Sequence, residues 1–173
     1  MDFFEVINQR HSIRAYKNKP VEPEKLQQIL QAVNRAPSAG NLQAYEVYLV
    51  CDDKHKTSLV AAAYDQEFLA QAPLVLVFCA HANRSASKYQ ERGTELYCVQ
   101  DATIACTFAM LAATALGLST AWVGAFDENE LRYIINAPWA HRPVAMLPIG
   151  YAAESPRISS RRTLNDLIHS VQP

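Results

Sequence analysis

The stretch QDATIACTFAMLAATALGLSTAWVG, Gln100–Gly124, begins as a long apolar segment and ends in a pattern typical of a strand. The apolar segment, Leu96–Leu116, approaches the length of a membrane span, but a glutamine, an aspartate and three threonines interrupt it. Because polar groups at membrane depth are costly, we predict a buried core helix. Gly117 suits the C-cap of that helix, and STAWVGAF, 119–126, predicts a strand after it.

Upstream of this helix the sequence predicts another helix, a turn and a strand. Leu26 begins an apolar series at i, i+3, i+4 and i+7, which marks one face of a helix, and Pro23 suits its first turn. Pro37 forces the residue before it out of the helical region, and PSAGN has the composition of a turn. YEVYLV, Tyr45–Val50, alternates as a strand does.

The remaining segments complete a fold of about four strands. LVLVFCA, 74–80, is short, continuous and rich in branched residues, as a strand covered on both faces is. The polar stretch 81–94 after it is expected to be a surface loop or a frayed helix start. Asp127 is placed to cap a helix over DENELRYII. With a helix over 53–63 and a strand over 144–151, this order predicts an α+β fold in which helices wrap the sheet.

Composition limits the size of the protein and its partners. The 173 residues fit a single domain, 1–173, and the formal net charge of -1 provides no field that would attract nucleic acid or an anionic membrane. The four cysteines form no CxxC, and the start MDFFEVINQ lacks the regions of a leader peptide, which predicts a cytoplasmic protein. The mostly polar tail, about 152–173, is expected to fray or to lie across another surface.

Residue spacing argues against several common sites. The five glycines lie at least seven residues apart, so neither a GxGxxG fingerprint nor a P-loop is possible. The five histidines are isolated, and CAH at Cys79–His81 is the one close cysteine and histidine pair, so we predict no metal site. No GxSxG surrounds Ser38 or any other serine, which leaves an α/β-hydrolase unsupported.

Two arginine clusters stand at opposite ends of the chain. RHSIR, Arg10–Arg14, contains two guanidiniums and a hydroxyl, and the second cluster consists of Arg157, Arg161 and Arg162. The planar guanidinium matches phosphate oxygens, so arginines brought together from both ends would clamp a phosphomonoester. The alternative is that both clusters are solvated surface charges, which composition alone favours.

Four motifs decide between these alternatives. They are RHSIR, APSAGNLQ from Ala36, the stretch Gln100–Gly124, and LPIGYAAESPRISSRRTLNDLIH from Leu147. In this order they resemble the FMN-dependent nitroreductase family over essentially the whole chain. The resemblance implies an α+β sandwich with a mixed or antiparallel sheet, and an intertwined homodimer with one FMN at each end of the interface. It also implies that the tail reaches over the partner subunit.

The resemblance assigns cofactor-binding residues. Arg10 and either Arg161 or Arg162 resemble the phosphate ligands. Ser12 matches the position near the ribityl chain and phosphate, and Arg14 the cation near N1 and O2 of the flavin. The other positions are His11 as a spacer in the first motif, Pro37, Ser38, Ala39 and Asn41 on a loop from the other subunit, Gly124 and Ala125 beside the ring near N5, Gln66 as a looser polar contact, and Pro148, Ile149 and Gly150 along the ribityl side.

The implied reaction takes hydride from NAD(P)H onto flavin N5 and passes electrons to a nitroaromatic, a quinone or a similar planar acceptor. Negative charge then develops toward N1, where the Arg14 guanidinium would raise the flavin potential. Without a nicotinamide-binding fingerprint, NAD(P)H would stack on the open flavin face and leave before the acceptor enters, which is a ping-pong scheme. It demands no catalytic side chain, since flavin N5 is the reactive centre.

Other functions of the same fold stay open at the level of sequence. Azoline dehydrogenation, dehalogenation and flavin fragmentation occur in this superfamily, and a non-catalytic module that binds or senses FMN would keep the same arginines. The chain departs from the family pattern where Ala44 and Tyr45 follow Gln43, because Pro and Trp are frequent there. The loop Ala82–Thr94 is either a lid over the flavin or a plain solvent loop.

Overall fold

The computed structural model describes residues 1–171, and within them the chain forms eight α-helices and a four-stranded sheet. A 3-10 turn, Ala39–Asn41, precedes the first strand, and a π-helical turn, Gly93–Tyr97, joins the fifth helix to the sixth. In chain order the elements are α1 Phe3–Gln9, α2 Pro23–Val33, β1 Tyr45–Val50, α3 Asp53–Ala62, α4 Phe68–Gln71, β2 Leu74–His81, α5 Ala82–Arg92, α6 Cys98–Ala115, β3 Ser119–Thr120, α7 Glu128–Ile134, β4 His141–Gly150 and α8 Leu164–Leu167.

The sheet has the strand order β1-β2-β4-β3, and its strands pair antiparallel. The central strands are β2 and β4, with Leu74 opposite Ile149. Every residue of β2 except the last is buried, which confirms the predicted strand covered on both faces. The sheet and the helices around it confirm the predicted α+β class.

Two hydrophobic clusters lie on opposite faces of the sheet. Alternate residues of β2 divide between them, since side chains of a strand point alternately up and down. Leu76 and Phe78 pack in the first cluster with α2 and α6, whereas Val75 and Val77 pack in the second with α3, α4 and α7. Ile29 of α2 is fully buried in the first cluster, so the predicted apolar face of this helix is confirmed.

Helix α6 is the core helix that the sequence predicted. Its Ala105 and Ala109 are fully buried in the first cluster. Gly117, just after it, adopts φ +75°, a conformation that favours glycine at the end of a helix. By length and composition alone the helical stretch Ala82–Ala115 could cross a membrane, but a buried core helix passes the same test. Its packing against the sheet supports the core helix.

Two predicted segments differ from the structure. In the stretch 119–126, predicted as a strand, two residues form β3, and the chain then returns to the sheet at a bridge between Val123 and Met146. The stretch 81–94, expected to be a surface loop or a frayed helix start, is helical from Ala82, so the loop alternative is wrong, whereas its role as a lid stays a prediction. The helix is irregular, since the backbone leaves helical geometry at Gln90, with φ 50° and ψ -133°.

The C-terminal tail is exposed along its described length. Residues 153–171 are exposed, and they include the single turn α8, in which the Thr163 side chain accepts a hydrogen bond from the Asp166 N–H. The Ala153 N–H donates to the Ala15 carbonyl at 2.9 Å. This bond ties the beginning of the tail to the segment that follows α1, so the two arginine-bearing ends of the chain meet.

Candidate cofactor site

The segment Arg10–Tyr16 carries the first motif out of α1 and along the end of the sheet. Ile13 is buried, and its N–H donates to the Thr120 carbonyl at 3.0 Å, which anchors the segment beside β3. The residues on either side of Ile13, Ser12 and Arg14, are exposed. Because Ile13 is buried, the side chains of its neighbours Ser12 and Arg14 point toward solvent.

The exposed side of this segment forms a cavity of about 470 Å³, which we call the arginine cavity. It is lined by Arg10, His11, Ser12, Arg14, Glu154, Arg157, Ser159 and Arg161. The structure thus brings together guanidiniums from both ends of the chain. Within residues 1–171, none of these four arginines forms an ion pair, so their charges are available to an anion.

The structure distinguishes Arg161 from Arg162. Arg161 lines the cavity, and its Nη1 donates to Ser159 Oγ at 2.9 Å. Arg162 forms an ion pair with Asp166 four residues later, and a second nitrogen of its guanidinium donates to the Asp166 carbonyl. The sequence left the choice between the two arginines open, and in the structure Arg161, not Arg162, lines the arginine cavity.

Arg14 is held in place by the tail. Its backbone N–H donates to Glu154 Oε1 at 2.6 Å, and its guanidinium carbon lies 6.0 Å from the centre of the Phe68 ring. Glu154 is the acidic member of the cavity, and sequence reasoning missed it. A carboxylate among arginines limits the positive charge of the cavity, and it fixes the backbone from which Arg14 extends.

Pro148, Ile149 and Gly150 are buried in β4, behind the first motif. The Tyr16 hydroxyl lies within hydrogen-bond distance of the Ile13 and Pro148 carbonyls, at 2.8 and 3.3 Å. Burial raises the pKa of Tyr16, so the hydroxyl stays a neutral donor. These three residues support the segment that carries the arginines, and their predicted contact with the ribityl chain stays a prediction.

The second motif forms the tight turn at Pro37–Asn41. Gly40 and Asn41 both have φ +57°, and Ser38 Oγ accepts a hydrogen bond from the Gln43 N–H at 2.9 Å. Such left-handed positions favour glycine and asparagine, which explains the composition of the turn. Beside the turn lies a cavity of about 580 Å³, which we call the turn cavity. It is lined by Pro37, Ser38, Ala39, Tyr97, Val99, Gln100, Asp101, Thr103 and Ile104.

Asp101 of α6 holds the turn against the core helix. Its side chain is 2% exposed, and its Oδ1 accepts a hydrogen bond from the Ala39 N–H at 2.9 Å. Burial raises the pKa of this carboxyl, while the N–H groups of Ala39 and Ala44 act in the opposite direction. The sequence showed Asp101 as an interruption of an apolar helix, and a charge at that position was the available signal for this contact.

Gln66 fixes the turn that contains Gly124 and Ala125. Its Nε2 lies 3.0 Å from the Ala63 carbonyl and 3.1 Å from the Ala125 carbonyl, so the amide can donate to both. Gly124 lines a smaller cavity of about 190 Å³ together with Val99 of α6. The structure therefore connects Gln66 with the Gly124–Ala125 turn, and its predicted contact with the flavin stays a prediction.

Most of the predicted site residues fall into three groups within one chain, whereas Pro148, Ile149 and Gly150 are buried in β4 and Arg162 pairs with Asp166. The first group lines the arginine cavity, the second surrounds the turn cavity, and the third lies at the Gly124–Ala125 turn. The arginine cavity and the turn cavity share no lining residue in the described chain. Within one chain, the residues predicted to bind phosphate and those of the Pro37–Asn41 turn therefore line different cavities.

Known proteins resemble this chain over most of its length. A sequence model described as the nitroreductase family matches residues 7–66 and 57–151. The FMN reductase [NAD(P)H] of Bacillus subtilis is 35% identical over 161 residues, which cover 86% of this chain and 65% of that protein. The NADH dehydrogenase of Thermus thermophilus is 29% identical over 186 residues, which cover 92% of this chain and 91% of that protein.

A solved structure shows the same fold. B. megaterium NfrA2 superimposes with a TM-score of 0.91 at 28% sequence identity, over 98% of this chain and 74% of that chain. The present chain is therefore shorter than this relative, as it is shorter than the B. subtilis reductase.

Proposed function

Because the chain belongs to the nitroreductase family, we propose that it is an FMN-dependent oxidoreductase that uses NAD(P)H to reduce a planar acceptor. The observation that carries this proposal is the arginine cavity, in which four guanidiniums from both ends of the chain converge without ion-pair partners in the described residues. The names of the relatives agree with this activity, since they include an FMN reductase and an NADH dehydrogenase.

The arginine cavity fits the phosphate end of FMN. Its volume of about 470 Å³ lies within the usual range of ligand pockets, roughly 300–1,000 Å³. A phosphomonoester carries about -1.5 to -2 charges at neutral pH and matches the guanidinium fork. Arg10 and Arg161 would hold the phosphate, and the Ser12 hydroxyl would donate to it or to the ribityl chain. Arg157 adds positive charge to the same cavity.

Arg14 and the Gly124–Ala125 turn are proposed to act on the flavin ring. When bound, FMN would take up hydride from NAD(P)H and pass the electrons to an acceptor. The Arg14 guanidinium would stabilise negative charge at the N1 and O2 edge of the ring. Gln66 fixes the Ala125 carbonyl, and this contact would orient the backbone of the turn toward the ring near N5. None of these roles requires a side chain to act as an acid or a base.

The complete site is proposed to form in an intertwined homodimer of this single domain. The tail exposes apolar side chains that a monomer would leave in water: Ile158 is 88% exposed, Leu164 73% and Ile168 63%. Burial of such a row against a second copy is favourable. In the dimer, the Pro37–Asn41 turn of one subunit would approach the flavin held by the arginine cavity of the other.

The purified full chain tests this function by its absorption spectrum. We expect bound flavin, and anaerobic addition of NADH or NADPH should bleach the oxidised flavin bands within seconds. A colourless preparation that binds no added FMN would contradict the cofactor assignment. Bound FMN whose oxidised spectrum persists after both nucleotides would instead indicate a non-catalytic FMN-binding module.

The acceptor is identified by reoxidation of the reduced protein. A screen should compare a nitroaromatic, a quinone, a halogenated aromatic and free FMN, the last because of the name of the B. subtilis relative. A ping-pong scheme predicts parallel lines in double-reciprocal plots at several acceptor concentrations. Intersecting lines would show that nucleotide and acceptor bind together.

Arg10→Ala tests whether the arginine cavity binds the phosphate of FMN. Loss of a charge-assisted phosphate contact should weaken FMN binding roughly ten- to a hundredfold. Arg35→Ala is the control, since Arg35 is an exposed arginine that follows α2 and lies outside the lining of the arginine cavity. Equal FMN affinity in both variants would refute the clamp.

A further inference from the structure

A group of two histidines and one carboxylate lies at the end of the central strands. Glu46 is on β1, His81 is the last residue of β2, and His141 is the first residue of β4. One ligand atom of each residue lies within 4.8 Å of those of the other two. In the described chain these residues belong to neither the arginine cavity nor the turn cavity.

We infer that Glu46, His81 and His141 bind a divalent transition-metal ion such as zinc. Two imidazoles and one carboxylate are a donor set that these ions prefer, and they leave coordination positions open for water. His81 Nδ1 lies 2.9 Å from Glu46 Oε1, and the two imidazole rings have their centres 4.5 Å apart. Ligand bonds of about 2.0–2.2 Å would require small side-chain rotations from these positions.

The sheet fixes the backbone of all three residues. His81 and His141 are paired across β2 and β4, and Glu46 lies opposite Cys79, two residues before His81 on the same strand face. The His81 N–H donates to the Ala44 carbonyl at 2.9 Å, which continues the pairing beyond β1. The ligands therefore stand on rigid strands, as metal sites require.

A fourth residue is placed to orient His141. The Tyr48 hydroxyl lies 2.7 Å from His141 Nδ1. With the Nδ1–H donated to the Tyr48 oxygen, the Nε2 lone pair of His141 is free for the ion, which is a frequent arrangement of metal-binding histidines.

Arg84 would compete with the ion for the Glu46 carboxylate. Its Nη2 lies 3.3 Å from Glu46 Oε1, and its Nη1 donates to the Gln43 carbonyl at 3.1 Å. The side chains of His81 and Glu46 are 20% and 33% exposed, so an ion can enter from solvent. In the structure, Arg84 and His81 share the Glu46 carboxylate. A cation bound there would take the place of this guanidinium beside the carboxylate.

The test is a titration of the chelator-treated full chain with zinc chloride, by calorimetry and by metal analysis after dialysis. We expect one saturable ion per chain. Glu46→Gln and His141→Ala should each weaken binding at least about tenfold, since loss of even an outer partner has an effect of that size. Arg84→Gln should tighten binding, because it removes a competing charge.

The matched control is His55→Ala. His55 also pairs with a carboxylate, Asp52, at 2.8 Å, but the two lie on one exposed helix turn, and the described residues provide no third ligand there. This variant should bind zinc as the unchanged protein does. Should His141→Ala fail to fold, Glu46→Gln and Tyr48→Phe provide the same comparison.

Three results would overturn the inference. They are the absence of saturable zinc binding, equal loss in His55→Ala and Glu46→Gln, and weaker rather than tighter binding in Arg84→Gln. Cobalt(II) adds a direct readout, because its visible spectrum reports nitrogen and oxygen ligands in the folded protein. The spectrum should change in His141→Ala and stay unchanged in His55→Ala.

Discussion

The contrast between Arg161 and Arg162 gives the sharpest test of the arginine cavity. The two residues are neighbours of the same type, but Arg161 lines the cavity whereas Arg162 is paired with Asp166. We expect Arg161→Ala to weaken FMN binding and Arg162→Ala to leave it nearly unchanged. Both variants remove one positive charge from the same tail, so they differ chiefly in what the guanidinium contacts.

The expected magnitudes follow from these contacts. A hydrogen bond to a charged group contributes about 1.5–3 kcal/mol, which corresponds to a roughly ten- to hundredfold loss of affinity in Arg161→Ala. The pair of Arg162 and Asp166 is exposed on both sides, about 60% of each side chain, and such pairs contribute ~0–1 kcal/mol to local stability. Its removal should change FMN affinity less than about threefold, or ~0.7 kcal/mol.

The assay compares FMN with riboflavin, which lacks the phosphate. Quenching of flavin fluorescence gives the affinity of the apoprotein for each ligand, at an ionic strength that screens distant charges. The preference for FMN over riboflavin should fall in Arg161→Ala and persist in Arg162→Ala. Asp166→Asn, which frees Arg162, should also keep it. An equal fall in both alanine variants, or none in Arg161→Ala, would refute the assignment.

Three further predictions concern other parts of the chain. Arg14→Ala should lower the midpoint potential of bound FMN more than its affinity, as redox titration against a reference dye would show; the reverse would assign Arg14 to the phosphate. Gly150→Ala should destabilise the fold by about 1–3 kcal/mol, since the new Cβ would lie 2.6 Å from Pro73 Cδ, and calorimetry should show a lower Tm; an unchanged Tm would contradict this. Burial raises the pKa of Asp101, so the folded state holds this proton to a higher pH than the unfolded chain, and stability falls as pH rises through the raised pKa. The gain in unfolding free energy from Asp101→Asn should therefore be larger at about pH 7 than at about pH 4 in urea melts, and an equal gain at both would contradict it.

The parts of the fold that depend on local pattern were predictable. The apolar run of β2 indicated a strand buried on both faces, and Asp127 was recognised as the cap of α7, where its side chain accepts hydrogen bonds from two backbone N–H groups. The sequence left helix α5 open between a surface loop and a frayed helix start, because little of this helix is buried: Ser85 is its buried residue, and Ala82 is a partly buried neighbour of the first cluster. So few core contacts leave a weak apolar period.

The contacts within the candidate cofactor site were predictable to the extent that they join neighbours in sequence. The Arg161 and Arg162 assignment carried a local signal, because Arg162 and Asp166 are spaced i, i+4. The role of Asp101 carried a weaker one, a charge in an apolar helix. Glu154 was missed because its contact with the Arg14 N–H joins residues 140 positions apart, which no local pattern shows.

The three proposed metal ligands also show that local sequence patterns miss sites assembled from distant residues. Isolated histidines in the sequence predicted no metal site, since three ligands cannot be assembled from neighbouring residues. The strand register brings His81 and His141, which are 60 positions apart in sequence, to paired positions, and it places Glu46 on the same face. A spacing rule detects sites within one loop or helix. A site assembled across three strands becomes visible when the pairing register is known, because register decides which side chains share a face.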